Sequence, residues 1–232
     1  MICLLFSLFY VITNAQGVPP RRDGNSTSGT RLTGDTLKPL LGNNILFIIA
    51  HQDFRDEEYL VPHDILEHLG ANITVASSDT TLASGMIQIK VKPDILIENA
   101  DPLDFDAIVF IGGSGAQEYF NSEIALKIAD TASKNKKIIG AICIAPVILA
   151  KAGVLRLKSA TVWRSEETMA VFKANKVKYT GRPVEVSGKI VTADGPKSAK
   201  PFAEELVRLL LKENLSRPPS RQGGTSKTGS GK

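Results

Sequence analysis

The sequence predicts an α/β fold of three layers, a mostly parallel sheet covered by helices on both faces. Three observations lead there. Short continuous apolar runs recur along the chain, amphipathic stretches separate them, and glycines or acids punctuate the joins. "NILFIIA" (44–50) is the first buried strand, and "DEEYLVPHDILEHLG" the helix after it, with acids at its start, Gly70 past its end and Pro62 inside. "NITVASS" is a second strand, and "GMIQIKVKPDILI" alternates as a small hairpin or edge extension. "FDAIVFIGG" is a third buried strand, followed by a helix from about Glu118 to Lys134. "KKIIGAI" is the next strand and "APVILAKAG" its helix. "SATVW" and "KIVTADG" read as further strands, with "KVKYTGRPVEVSG" as a hairpin, and "KSAKPFAEELVRLLLKEN" closes the domain as an amphipathic helix.

The flanks have a different composition. Residues 1–15 carry an apolar run from Ile2 to Ile12, too short for the ~20 residues that span a bilayer, and therefore no stable membrane span is expected. The run has the pattern of a secretory signal cut near Ala15–Gln16, although no Lys or Arg follows Met1, and it predicts export; the alternative is a cytoplasmic chain with an uncleaved apolar tail. The sequons at Asn25, Asn72 and Asn214 are compatible with secretion. Residues 16–43 and 214–232, rich in Gly, Pro, Ser and Thr, read as a disordered linker and a disordered basic tail around a domain at 44–213. These flanks carry a surplus of six positive charges, more than the chain's net charge of +4, which leaves the domain slightly acidic. With no basic stripe or interleaved aromatics, nucleic acid is excluded as the expected partner.

In an open α/β sheet, ligands bind outside the carboxyl ends of the strands. Those ends are His51–Asp53, Gly112–Gly115, Cys143–Pro146, Trp163–Arg164 and Asp194–Pro196. Cys143 is the candidate nucleophile among them. "AICIA" places Ala141 and Ala145 two residues either side, as a sharp strand-to-helix elbow requires. A helix start favours the thiolate, and the Ile144 N–H points where an oxyanion would form. The Gly112-Gly113 turn offers a second amide. Burial of an inert cysteine is the competing reading. The other cysteine, Cys3, lies in the leader, so a processed chain has no partner for an internal disulfide.

"GAICIAPVILAKAGVLRLKSATVW", "FDAIVFIGGSGAQEYF", "VTADGPKSAKPFAEELVRLL" and "ILFIIAHQDFRDEEYLVPHDIL" together resemble the DJ-1/PfpI superfamily over about residues 44–212. The resemblance implies a flavodoxin-like three-layer sandwich with a cysteine nucleophile elbow. It assigns the nucleophile to Cys143, its acidic partner to Glu58 rather than the neighbouring Glu57, and the oxyanion amides to Gly113 and Ile144. It also implies a homodimer or higher homo-oligomer. No cofactor is expected, and no metal, since His63 and Glu67 at i, i+4 have no third ligand beside them. Two departures shape the expected activity. PfpI-type members carry His directly after the nucleophile, where this chain has Ile144. DJ-1-type members carry one after the next strand, where Trp163 and Arg164 stand. His51 at the sheet edge is a possible substitute, with Gly112 and Trp163 as further auxiliary residues; His63 and His68 read as structural. Aldehyde attack has no amine to expel and tolerates a missing histidine better than amide hydrolysis. The expected substrate is therefore a small reactive carbonyl compound, as for glyoxalase-like or deglycase-like members. The alternatives are a peptide, cut by a PfpI-like peptidase or amidase, and a non-enzymatic redox sensor or chaperone-like dimer.

Overall fold

A computed structural model of the chain describes residues 38–216; the leader, most of the linker and the end of the basic tail lie outside them. In chain order the strands and helices are β1 (Asn44–Ile48), β2 (Gln52–Phe54), α1 (Asp56–His68), β3 (Asn72–Ser77), β4 (Ala83–Gly85), β5 (Lys90–Val91), β6 (Ile95–Leu96) and β7 (Ala107–Phe110). There follow α2 (Glu123–Lys134), β8 (Ile138–Ile142), α3 (Pro146–Lys151), β9 (Ser159–Ala160), α4 (Glu166–Ala174), β10 (Lys178–Tyr179), β11 (Val184–Ser187), β12 (Ile190–Ala193) and α5 (Ala199–Ser216).

The main sheet runs β11-β12-β8-β7-β1-β3-β6, parallel throughout except for β11. Its five central strands follow the doubly wound order 2-1-3-4-5, whose switch point lies between β1 and β7. Side chains alternate between two cores. Leu46, Ile48, Ile108 and Phe110 pack with α2, α3 and α4, while Ile45, Phe47 and Val109 face α1 and α5. The continuous apolar runs arise because both faces of each strand are covered.

Several expectations change in detail. The helix expected from Glu118 begins instead at Glu123, where the Ser122 hydroxyl accepts the Ala125 N–H; Ser114–Tyr119 form a separate 3-10 turn. The hairpin expected within 176–188 does not form. β10 pairs in parallel with β9 in a small separate sheet, which also shortens the strand expected at "SATVW" to two residues. β11 instead pairs with β12 across Gly188–Lys189. Alternation marks a strand but does not select its partner. Both readings of residues 85–97 hold, since β4 and β5 form an antiparallel pair and β6 extends the sheet edge beside β3. Helix α4, unassigned in the sequence reading, is announced by a capping box of Ser165 and Thr168. The domain also reaches past both expected boundaries. Leu40 is fully buried, and Asn214 donates to the Asn43 side chain at 2.8 Å, so burial draws the last linker residues and the first tail residues into the fold.

Candidate active site

Three chain segments converge at the carboxyl edge of the sheet. The exit of β8 supplies Cys143, the exit of β7 supplies Gly112 and Gly113, and the first turn of α1 supplies Glu58. Cys143 has a left-handed backbone, φ +63°, which costs a non-glycine residue conformational energy and persists only where neighbours enforce it. Here they do. Its N–H donates to the Ala193 carbonyl at 2.9 Å, and its own carbonyl accepts the Trp163 N–H at 2.7 Å. Ala141 and Ala145, the small residues beside the elbow, are fully buried.

Glu58 has no solvent exposure. Pro62 lacks the amide that would pair with the Glu58 carbonyl, yet α1 runs through it. The Glu58 carboxyl faces the Cys143 thiol and the Gly112 N–H, although neither of its oxygens completes a hydrogen bond of full geometry. Desolvation dominates and raises its pKa to about 8, against weaker opposing effects from the thiol and Arg55. At neutral pH this carboxyl is mostly protonated. Burial, followed by the charge of Glu58 when ionised, pushes the thiol up to about 12, while the amides of Gly113 and Ile144 pull it down. The two groups act as one coupled acid. Ionised Glu58 keeps the thiol protonated, whereas a Glu58 that has taken up the thiol's proton exerts no repulsion and can donate to sulfur, so the thiolate is reached by passing its proton to Glu58. The short helix α3 has no side-chain cap, and the thiolate-favouring contacts come from those two individual amides.

Gly112 makes the approach possible. A Cβ there would lie 2.5 Å from both the Cys143 Cβ and a Glu58 carboxyl oxygen. Above the pair opens a cavity of about 380 Å³, walled by Arg55, Met86, Gln117, Trp163 and Thr168. Arg55 makes a two-pronged ion pair with Glu57, at 2.7 and 2.9 Å. That pairing separates the two neighbouring glutamates, Glu57 held outward by Arg55 and Glu58 turned inward. Asp56, also buried, accepts the N–H groups of Ile87, Gln88 and Ile89 at 2.9–3.0 Å and so anchors the β4–β5 loop that carries Met86.

The sequence-derived residues Cys143, Glu58, Gly112, Gly113, Ile144 and Trp163 are brought together. His51 is not. Its backbone N–H reaches Glu118, its Nε2 lies 3.4 Å from the Thr81 hydroxyl, and it takes no part in the cavity wall. The turn into β2 diverts it along a second, three-stranded sheet. His63 packs against Phe47 and Tyr59. Sequence reasoning missed Arg55, Gln117 and Thr168. Of these, only Thr168 carried a signal, the Ser165-x-x-Thr168 capping pattern that places α4 over the pocket.

Residues 43–209 match the DJ-1/PfpI family. The chain belongs to that family. It is 30% identical to a deglycase of Pyrococcus furiosus over 72% of this chain and 98% of that protein. It is 25% identical to a glutathione-independent glyoxalase of Caenorhabditis elegans over 71% and 87%. The crystal structure of a ThiJ/PfpI domain protein from Brachyspira murdochii superposes with a TM-score of 0.71 at 32% identity, covering 74% of this chain and 98% of that one. The family members' fold is the one described above. Among the described residues no helix is long and apolar enough to cross a membrane.

Proposed function

We propose that this chain is a cysteine-dependent enzyme acting on small reactive carbonyl compounds, of the glyoxalase and deglycase kind. The observation that carries the reading is the Cys143 thiol facing a buried, proton-retaining Glu58 beneath two backbone amides, in a cavity that no histidine lines. The names of the Pyrococcus and Caenorhabditis relatives support the substrate class.

With a 2-oxoaldehyde the steps balance internally. The reactive pair holds a single proton, a state that grows as pH passes through about 8; Glu58 is then the carboxylate, and the sulfur bonds to the aldehyde carbon as the thiol proton passes to it. The carbonyl electron pair moves to oxygen, facing the Gly113 and Ile144 N–H groups, and Glu58 returns the proton to give a hemithioacetal. Glu58 then removes the hydrogen on the former aldehyde carbon as a proton, and one is delivered to the neighbouring carbon. The first carbon is thereby oxidised to a thioester and the second reduced to an alcohol. Water cleaves the thioester, releasing a 2-hydroxy acid and the free thiol. No amine leaves, so no imidazole is required.

Purified protein incubated with methylglyoxal tests this by lactate formation. Cys143→Ala is expected to lower kcat/KM at least ~10³-fold. Turnover that survives the substitution, or that is absent from the parent, sinks the reading. Casein cleavage lost in the same variant would instead favour a peptidase, and peroxide modification of Cys143 without turnover a redox role. Export through the apolar leader and assembly as a homodimer belong to the same proposal; the mass of the secreted chain and light scattering check them.

A further inference from the structure

A second cavity, about 870 Å³, opens beside the first, and Arg55, Trp163 and Pro196 wall both. It is far larger than a three-carbon aldehyde needs. Its floor combines flat apolar surfaces, Trp163, Tyr179 and three prolines, with the cations Arg164 and Lys197. Both cations are exposed, and neither side chain has an ion-pair or hydrogen-bond partner among the described residues. The acids facing the space are Glu57, held by Arg55, and Asp194, one of whose oxygens accepts the Ser198 hydroxyl. The remaining field favours an anion.

The backbone joins this cavity to the thiol. Trp163 donates its N–H to the Cys143 carbonyl, and Arg164 is the next residue. On the other wall Gly195, two residues before Lys197, lies against the Trp163 ring; a Cβ at Gly195 would sit 3.0 Å from it. Trp163 is half exposed and forms the partition between the two spaces.

Building on the carbonyl chemistry proposed above, we infer that the second cavity is a subsite for the anionic end of the substrate, with Arg164 and Lys197 as its specificity-determining residues. The preferred substrate class is a 2-oxoaldehyde bearing a carboxylate or phosphate several bonds from the reacting carbon. Its apolar stem lies on Trp163 and the prolines while its aldehyde reaches Cys143.

Trp163 is the chain's one tryptophan, which provides a binding readout that needs no turnover. Its fluorescence is titrated with glycerol 3-phosphate and with glutarate, which separate phosphate from carboxylate recognition, in the parent, in Arg164→Ala/Lys197→Ala and in Arg164→Lys/Lys197→Arg. Saturable quenching by at least one anion is expected in the parent. It should weaken about tenfold or more in the alanine variant and return in the charge-conserving one. Circular dichroism confirms that each variant is folded. In parallel, the KM for 4,5-dioxopentanoate, a 2-oxoaldehyde that bears a carboxylate, relative to methylglyoxal should rise about tenfold in the alanine variant. Quenching by neither anion, or quenching indifferent to the alanine substitutions, overturns the subsite. Anion binding with no turnover of either aldehyde leaves the subsite standing and overturns the proposed reaction.

Discussion

The first turn of α1 holds two buried carboxyls, Asp56 and Glu58, two residues apart and opposite in behaviour. Asp56 points into the β4–β5 loop, where three amides meet it and hold its pKa below the ordinary value in spite of desolvation. Glu58 points into the thiol pocket, finds no comparable donors, and is raised to about 8. Burial is common to both; the supply of donors decides the sign. One carboxylate is a latch that stabilises the fold. The other is a strained acid that costs stability when ionised, and is therefore suited to holding and releasing a proton beside sulfur.

The sharpest way to break this contrast is Glu58→Gln. Loss of the proton carrier should cut methylglyoxal turnover ~10²–10³-fold and remove the rise in kcat/KM as pH passes through about 8. Stability should move the other way. With a folded pKa above the ordinary 4.5, folded protein binds more protons than unfolded protein between about 4.5 and about 8. Parent stability therefore falls as pH rises across that window, by up to about 1.4 kcal/mol per unit. The glutamine variant lacks that loss, so its melting-temperature advantage should widen from pH 5 to pH 8 and then level off. A constant gap would refute the assignment.

Gly112→Ala probes the same pocket sterically. The added methyl collides with both members of the pair, and a displacement of about 1 Å is expected to cost ~10²-fold in kcat/KM while the folded circular dichroism spectrum is kept. On the latch side, Asp56→Asn leaves amides short of an acceptor and should destabilise by about 2–3 kcal/mol in urea unfolding at pH 7. Because the Asp56 pKa is depressed, its contribution is complete above the ordinary 3.8 and lost as pH falls below it, so parent and variant should converge in acid. Ser165→Ala is the smallest effect. Removing the α4 cap should cost about 1 kcal/mol, with only a modest rise in KM as the wall bearing Thr168 loosens.

Much of this was legible in the chain. The apolar runs at 44–50, 105–113 and 136–142 placed β1, β7 and β8, because strands covered on both faces need no polar alternation. "AICIA" placed the elbow, because only small flanking residues let the chain turn so sharply. The family resemblance singled out Glu58 over Glu57, and Gly113 with Ile144. Partner choice was not legible. β10 joined β9 instead of β11, and His51, correctly placed at a strand exit, was carried by β2 onto a different sheet.

By itself, then, the sequence determined the layer order, the edge where chemistry sits and the thiol at its centre, since periodicity and local turn chemistry are properties of neighbours along the chain. Tertiary structure alone decided which acid is latched and which is left without donors, that no histidine reaches the sulfur, and that Trp163 divides two cavities. Those outcomes depend on desolvation and on donors contributed from distant segments, the β4–β5 loop at Asp56 and the β7 exit at Glu58, which no local pattern encodes.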